Sequence, residues 1–479
     1  MSNGFQKAQR YTSSVSVSLI EKSSARRPAV IFAGDTNRYV TKHLIMSWYD
    51  EIVDSAVAVF SLALGNEDEV AVDLLSNNSD NSPSTRGSRP GRRPNIDRNF
   101  GLGHRLLFDD YFREHPTYDE KHFIRRFRMT KAMFLMIVED LKSHDAFFTL
   151  RCDAAGKIGL SPIQKCTAAL RMLAYGSSAS SLDENIRIGE STTLLNLRKF
   201  CESIITVYGP KFLRPPNQEE VQTLMEENTQ RGFPGMVASI DCMHWAWKNC
   251  PVALKGQYQG KEGKATIVLE VFASKTTYIW HSFFGCPGSC NDINVLDRSP
   301  LINDIVENKM LDGQWEMNGK TYSKGYLLAD GIYPDWPIFM KTISHPQTAK
   351  AKLYAKRQES VRKDVERCFG ILQACWQILV NPCRLFDEES MRDIITTCII
   401  LHNMRIHFKH SNPELRNQVE NVHPDMPCSG TAGFSRVPQR TFNEMCEDRN
   451  NIRNAQRYYE MRNELVDHLW MTKGVSQLD

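Results

Sequence analysis

Four carboxylates in the second half of the chain sit where predicted elements end. Asp241 follows the apolar run "VASI", Asp292 comes just after a third predicted strand, Asp330 closes "KGYLLAD", and Glu366 lies in a long predicted helix. A group of carboxylates repels itself and holds its protons too tightly unless a cation neutralises it. Hard oxygen donors without sulfur or imidazole select Mg²⁺ or Mn²⁺. Two such ions about 4 Å apart hold a phosphodiester, activate a water and stabilise the leaving 3′ oxygen, so no protein nucleophile is needed. The plainer alternative is that these acids merely end strands or pair with neighbours, since the chain has 56 acidic residues. Arg362, four residues before Glu366, is its ready surface partner. Asp297 and Asp335 lie close by without the same placement.

The elements that must bring these acids together are legible as a change of period. From about residue 235, "GMVASIDCMHWAW", "ATIVLEVFASKT", "YIWHSFFGCPGS" and "KGYLLAD" are β-branched and aromatic, with a helical patch before the last. The order is strand, strand, strand, helix, strand. Two long helices follow, "QESVRKDVERCFGILQACWQIL" and "SMRDIITTCIILHNMRIHF". In the first, Val361, Val365, Cys368, Phe369, Leu372 and Trp376 form an apolar stripe, and Glu366 lies beside it. A helix packed by that stripe on the sheet leans Glu366 toward Asp241 and Asp330.

Residues 99–215 have helical periodicity. Met133, Phe134, Ile137, Val138 and Leu141 share one side, and the next helix has Ser161 as N-cap, Pro162 in its first turn and Gly176 at its end. Three helices with a tight middle turn suggest a helix-turn-helix-like domain, with Asn196, Arg198 and Lys199 facing outward on the last; a plain helical bundle reads the same. Residues 1–98 are rich in Ser, Asn, Pro and Gly toward their end and predict a largely disordered extension. Its basic end (Arg86, Arg89, Arg92, Arg93) suits either nuclear import or phosphate contact, or is a solvated linker. Residues 411–479 read as a polar tail with a short terminal helix.

Composition bounds the partners. The chain has 479 residues, 41% hydrophobic and 24% charged, with a formal net charge of +3 that can hide a basic face. Its 13 cysteines lack repeating spacing, and without a signal peptide they predict reduced thiols inside the cell. Cys286 and Cys290 lack the second pair a zinc knuckle needs. The longest apolar stretch, 52–65, is too short to span a bilayer, so no membrane is expected.

The blocks "SIDCMHWAWKNCP", "FFGCPGSCNDINVLDRSP", "LLADGIYP", "VRKDVERCFGILQACW" and "CIILHNM" resemble the PIF/Harbinger group of DDE transposases, and more closely its plant transposon protein subfamily. The likeness runs from about residue 100 to 410. It implies an α/β fold: an RNase H-like nuclease domain at 230–410, with a mixed five-stranded sheet and flanking helices, preceded by the helical domain. It also implies that Asp241, Asp330 and Glu366 are catalytic, with Asp292 as the alternative middle acid of the triad, and that all four bind a divalent cation, Mg²⁺ or Mn²⁺. Asp330 and Glu366 are 36 positions apart, a spacing such triads share. Cys242 and Met243 replace the common Gly-Thr after the first acid, and Ile332 stands where a smaller residue is usual. Neither departure removes a ligand.

The reaction implied is cleavage of DNA at transposon ends and joining to a target site. The resemblance further implies a nuclear protein assisted by a Myb-like helper; self-association into a homo-oligomer stays open. DNA-backbone contacts are expected from Lys248, Lys255, Lys261 and Lys264, from Arg198 and Lys199, and from His244, three residues after Asp241. A solvated hairpin edge reads like the lysine track, and a histidine satisfied within the fold reads like His244. Trp245 and Trp247 read as core and rim. The rival reading is a domesticated descendant that binds DNA or protein in the nucleus without cutting.

Overall fold

The computed structural model describes residues 96–153, 156, 158–260, 263–410 and 442–474. The expected N-terminal extension through residue 95, Lys261 and the polar tail at 411–441 lie outside them. Among the described residues seven α-helices precede the sheet: α1 (Phe100–Tyr111), α2 (Glu120–Phe127), α3 (Lys131–His144), α4 (Pro162–Tyr175), α5 (Asp183–Ile186), α6 (Glu190–Phe212) and α7 (Gln218–Gln230). The caps of α4 are those the residues dictate. Ser161 and Gln164 form a reciprocal capping box, Pro162 opens the helix, and Gly176 closes it at φ 59°.

The sheet is built from β1 (Met236–Ala246), β2 (Thr266–Ala273), β3 (Ile279–Pro287), β6 (Tyr326–Leu328) and β7 (Phe339–Met340), in the order β3-β2-β1-β6-β7. Strands β1, β2 and β3 are antiparallel neighbours, whereas β6 runs parallel to β1 and β7 parallel to β6. The short helix α8 (Val252–Tyr258) links β1 to β2, and α9 (Asp292–Leu296) and α10 (Leu301–Val306) follow β3. A separate hairpin, β4 (Asp312–Met317) with β5 (Lys320–Lys324), precedes β6. Its turn, Asn318-Gly319, has both residues at positive φ, as a tight hairpin requires. Helices α11 (Ala349–Cys375) and α12 (Glu388–His410) come next, then α13 (Phe442–Ile452) and α14 (Ala455–Leu469), so the expected single terminal helix is a pair.

Alternation along the strands divides two cores. Met243 and Trp245 of β1, with Leu269 and Val271 of β2, pack with Val365, Cys368 and Leu372 of α11, Ile399 of α12, and Phe200 and Ile204 of α6. On the opposite face Ile240, Phe272, Tyr326 and Phe339 meet Leu301 and Ile305 of α10, Tyr354 of α11 and Tyr458 of α14. The preceding helices and one face of the sheet thus share a continuous apolar core.

Within that core α6 is packed against α3, α4 and α12. Asn196 is therefore wholly buried, not presented outward as its polar character suggested, while Arg198 is exposed and Lys199 half-buried beside Glu202 at 2.8 Å. All described cysteines are free thiols. Among the described residues no helix is long and apolar enough to cross a membrane.

Candidate active site

Asp241 does not end its strand as expected: β1 runs on to Ala246, which places Asp241 within the central strand of the sheet. The parallel partner of β1, strand β6, ends where Ser239 pairs with Leu328, and Asp330 follows two residues on, near enough for its charge to act on Asp241. Asp330 lies two residues beyond the end of β6, where the chain leaves the sheet, and is exposed. Its position is held from behind. The buried Gln358 amide donates from α11 to the carbonyls of Ala329 (3.1 Å) and Met340 (3.0 Å), tying β6 and β7 to the helix. Lys341 donates to the Tyr333 carbonyl at 2.8 Å and pairs with Asp335, which pins the turn after Asp330. The Tyr333 ring is buried, with its hydroxyl 3.7 Å from Cys242 Sγ.

Glu366 projects from α11, the helix whose apolar stripe lies across β1 and β2. It reaches the site through Arg362. One guanidinium nitrogen stands 3.1 Å from Asp241 Oδ2 and the other 2.7 Å from Glu366 Oε1, so a single cation bridges acids 125 positions apart in sequence. The other Asp241 oxygen accepts the Cys242 backbone N–H at 2.9 Å.

Asp292, the first residue of α9, approaches β1 from its other face. There it bonds the Cys242 thiol and feels the charge of His244. Burial pushes the carboxyls of Asp241 and Asp292 above the usual aspartate range. Arg362 partly offsets this for Asp241, whereas neighbouring carboxylates raise both: Asp292 and Asp330 act on Asp241, and Asp330 and Glu270 act on Asp292. Asp241, Asp292 and Asp330 therefore share one electrostatic pocket, and Glu366 joins it by way of Arg362.

The donor set is all oxygen and its charge is incompletely neutralised, which suits a hard divalent cation. Among the described residues, however, no three His, Cys, Asp or Glu side chains stand close enough to hold one metal ion. Arg362 occupies part of the space between the acids.

His244 is exposed, with Nδ1 2.9 Å from Thr266 Oγ1. Lys248, Lys255 and Lys264 are exposed on the connection between β1 and β2. Trp245 and Trp247 are buried and donate to the carbonyls of Asn381 (3.0 Å) and Leu385 (2.8 Å), so both belong to the core. Three contributors gave little sign of themselves in the sequence. Arg362 had an i+4 signal for Glu366 but none for Asp241, and Gln358 and Lys341 gave no signal at all.

A mixed five-stranded sheet with flanking helices, with one acid within its central strand and another just past the end of the adjacent parallel strand, is consistent with the RNase H-like class of nuclease folds. Residues 210–411 match the family model described as plant transposon protein, so this part of the chain is similar to that Harbinger-type, transposase-derived family. Residues 103–142 match a domain of unknown function (DUF8418). The chain is 27% identical over 301 residues to the Arabidopsis thaliana protein named "Antagonist of like heterochromatin protein 1", covering 60% of this chain and 73% of that protein. It is 24% identical to the Arabidopsis thaliana "Protein ALP1-like", covering 60% of this chain and 71% of that one. It is 23% identical to the Bos taurus protein named "Putative nuclease HARBI1", covering 64% of this chain and 83% of that one. No solved structure matches the chain.

Proposed function

We propose that the protein is a divalent-metal-dependent DNA endonuclease of transposase type, cutting at transposon ends and joining the freed strands to a target. The observation that carries this reading is that Asp241 of β1 feels the charge of Asp330, just past the end of the parallel neighbour β6, while Arg362 links Asp241 to Glu366. Asp241, Asp330 and Glu366 would hold Mg²⁺ or Mn²⁺, with Asp292 supplying charge from the opposite face of β1. Divalent cations held there would supply an activated water and charge neutralisation at the departing 3′ oxygen.

The chain's own residues do the rest. Asp241 is held within the central strand β1, and Gln358 bonds the Ala329 carbonyl just before Asp330. His244 lies within electrostatic reach of Asp292, on the side from which a phosphate would approach. Lys248, Lys255 and Lys264 offer cations to the backbone beyond it, and Arg198 and Lys199 extend contact to the helical, helix-turn-helix-like region. Nuclear action and a Myb-like helper accompany this reading through the resemblance.

A second reading has its own support. Two of the expected ligands are engaged by an arginine, and one relative is named for antagonising a heterochromatin-protein-like factor. In this reading the protein is a domesticated nuclear scaffold that binds DNA or protein without cutting. The test is cleavage of duplexes bearing the element's terminal repeats by the full chain with Mg²⁺ or Mn²⁺, alongside Asp241→Asn and Glu366→Gln. Cutting by the parent, lost at least a hundredfold in both variants with DNA binding retained, supports the nuclease. Binding without cutting, even with a helper protein supplied, favours the scaffold.

A further inference from the structure

The Arg362 contacts are not those of an ordinary helix-surface ion pair. An i,i+4 pair needs only Glu366, and at an exposed site it contributes little. Here the planar guanidinium splits its nitrogens between two carboxylates from different elements, at 3.1 Å to Asp241 Oδ2 and 2.7 Å to Glu366 Oε1. Its side chain is 17% exposed, against 45% for Glu366, so the cation sits deeper than the acid it would merely decorate. With Oδ1 taken by the Cys242 backbone N–H, both oxygens of Asp241 are engaged. A divalent ion bridging Asp241 and Glu366 has to take oxygens that this arginine now holds.

We propose that Arg362 is a built-in counter-cation of the acid pocket, which holds Asp241 and Glu366 together before metal arrives and is displaced when a divalent cation enters. The inference rests on the metal-dependent reading of these acids and adds a competitor to it. Metal entry is then an exchange in which the monovalent guanidinium gives up at least one carboxylate to the divalent ion. No covalent bond is made or broken. Arg362 is a positioning residue: it keeps mutually repelling acids from splaying apart, at the cost of weaker metal affinity.

The test measures Mn²⁺ binding to the full chain without DNA, from the electron paramagnetic resonance signal of free Mn²⁺, with thermal melting recorded on the same samples. The variants are Arg362→Gln, Arg362→Lys and Asp241→Asn. Removing the competitor is expected to tighten Mn²⁺ binding about tenfold in Arg362→Gln, since two partly buried ion pairs no longer have to be broken. The same change lowers the metal-free melting temperature, and Mn²⁺ restores it. Arg362→Lys, with the charge but not the fork, falls between, and it serves as the test should the glutamine variant fail to fold.

Loss of Mn²⁺ binding in Asp241→Asn, together with unchanged or weaker binding in both Arg362 variants, would overturn the counter-cation while leaving the metal site standing. Equal Mn²⁺ binding by the parent and Asp241→Asn, or none in any protein, overturns the metal-dependent reading and the counter-cation with it.

Discussion

Gln358 and Ala329 are joined by a buried hydrogen bond, side-chain amide to backbone carbonyl at 3.1 Å, one peptide before Asp330. The same amide reaches Met340 at 3.0 Å, so one side chain of α11 sets where β6 and β7 end. Replacing Gln358 with Met leaves two buried carbonyls without this donor and costs on the order of 1–3 kcal/mol. We expect a lower melting temperature together with metal-dependent cleavage reduced about tenfold or more, while DNA affinity stays near that of the parent. Gel-shift and cleavage assays on the same preparation check the split; equal loss of both points to general unfolding.

Asp292 gives a pH prediction whose sign follows from burial and its acidic neighbours. Its folded pKa is raised, so the protonated form favours the folded state. That stability is fully present below the ordinary aspartate value near 4 and is lost as pH rises through the raised folded value. Asp292→Asn removes the charge, and the metal-free protein should melt about 1–2 °C higher at pH 7, a change of under roughly 1 kcal/mol. The difference from the parent should vanish below about pH 4. Melting curves across pH without metal test this; a lower melting temperature at pH 7 would contradict it.

His402 titrates with the opposite sign. It is buried in α12, its Nε2 stands 2.8 Å from the Thr277 carbonyl, and burial pushes its pKa down to about 4. Its folded pKa is depressed, so the stability it contributes is present above the ordinary histidine value near 6.5 and drains away as pH falls toward about 4. His402→Gln keeps an amide donor and cannot charge. The parent should lose on the order of 2–3 kcal/mol more than this variant over that window in urea unfolding. Parallel curves would show that the imidazole is not the titrating group.

The lysines between β1 and β2 are exposed, so replacing them should leave stability unchanged and act on DNA. Lys248→Ala, Lys255→Ala and Lys264→Ala together should reduce the slope of log affinity against log salt by about 2–3, near one unit for each phosphate no longer neutralised. Arg198→Ala, on α6, should change it by about one unit or less. An unchanged slope in the triple variant would remove this edge from the DNA path.

Much of the sheet was legible because β1, β2 and β3 are dense β-branched and aromatic runs, and α11 declares itself by a stripe from Val361 to Leu372. The hairpin from Asp312 to Lys324 escaped notice. It buries one face only, and charged residues such as Glu316 and Lys320 interrupt the apolar signal, although Asn318-Gly319 is a strong hairpin turn. Asn196 misled for the converse reason: a polar residue on an amphipathic helix implies solvent, but α6 is enclosed on several sides.

The order of residues alone determined which acids belong to the motif blocks, the 36-position spacing from Asp330 to Glu366, and the family those blocks resemble. Those are local properties, written in period, turn chemistry and motif. Tertiary structure alone decided that β6 runs parallel to β1 and brings the charge of Asp330 to bear on Asp241, that Asp292 comes in from the other face, and that Arg362 stands between Asp241 and Glu366. Such relations depend on strand direction and helix docking, which long-range packing selects and no single segment encodes.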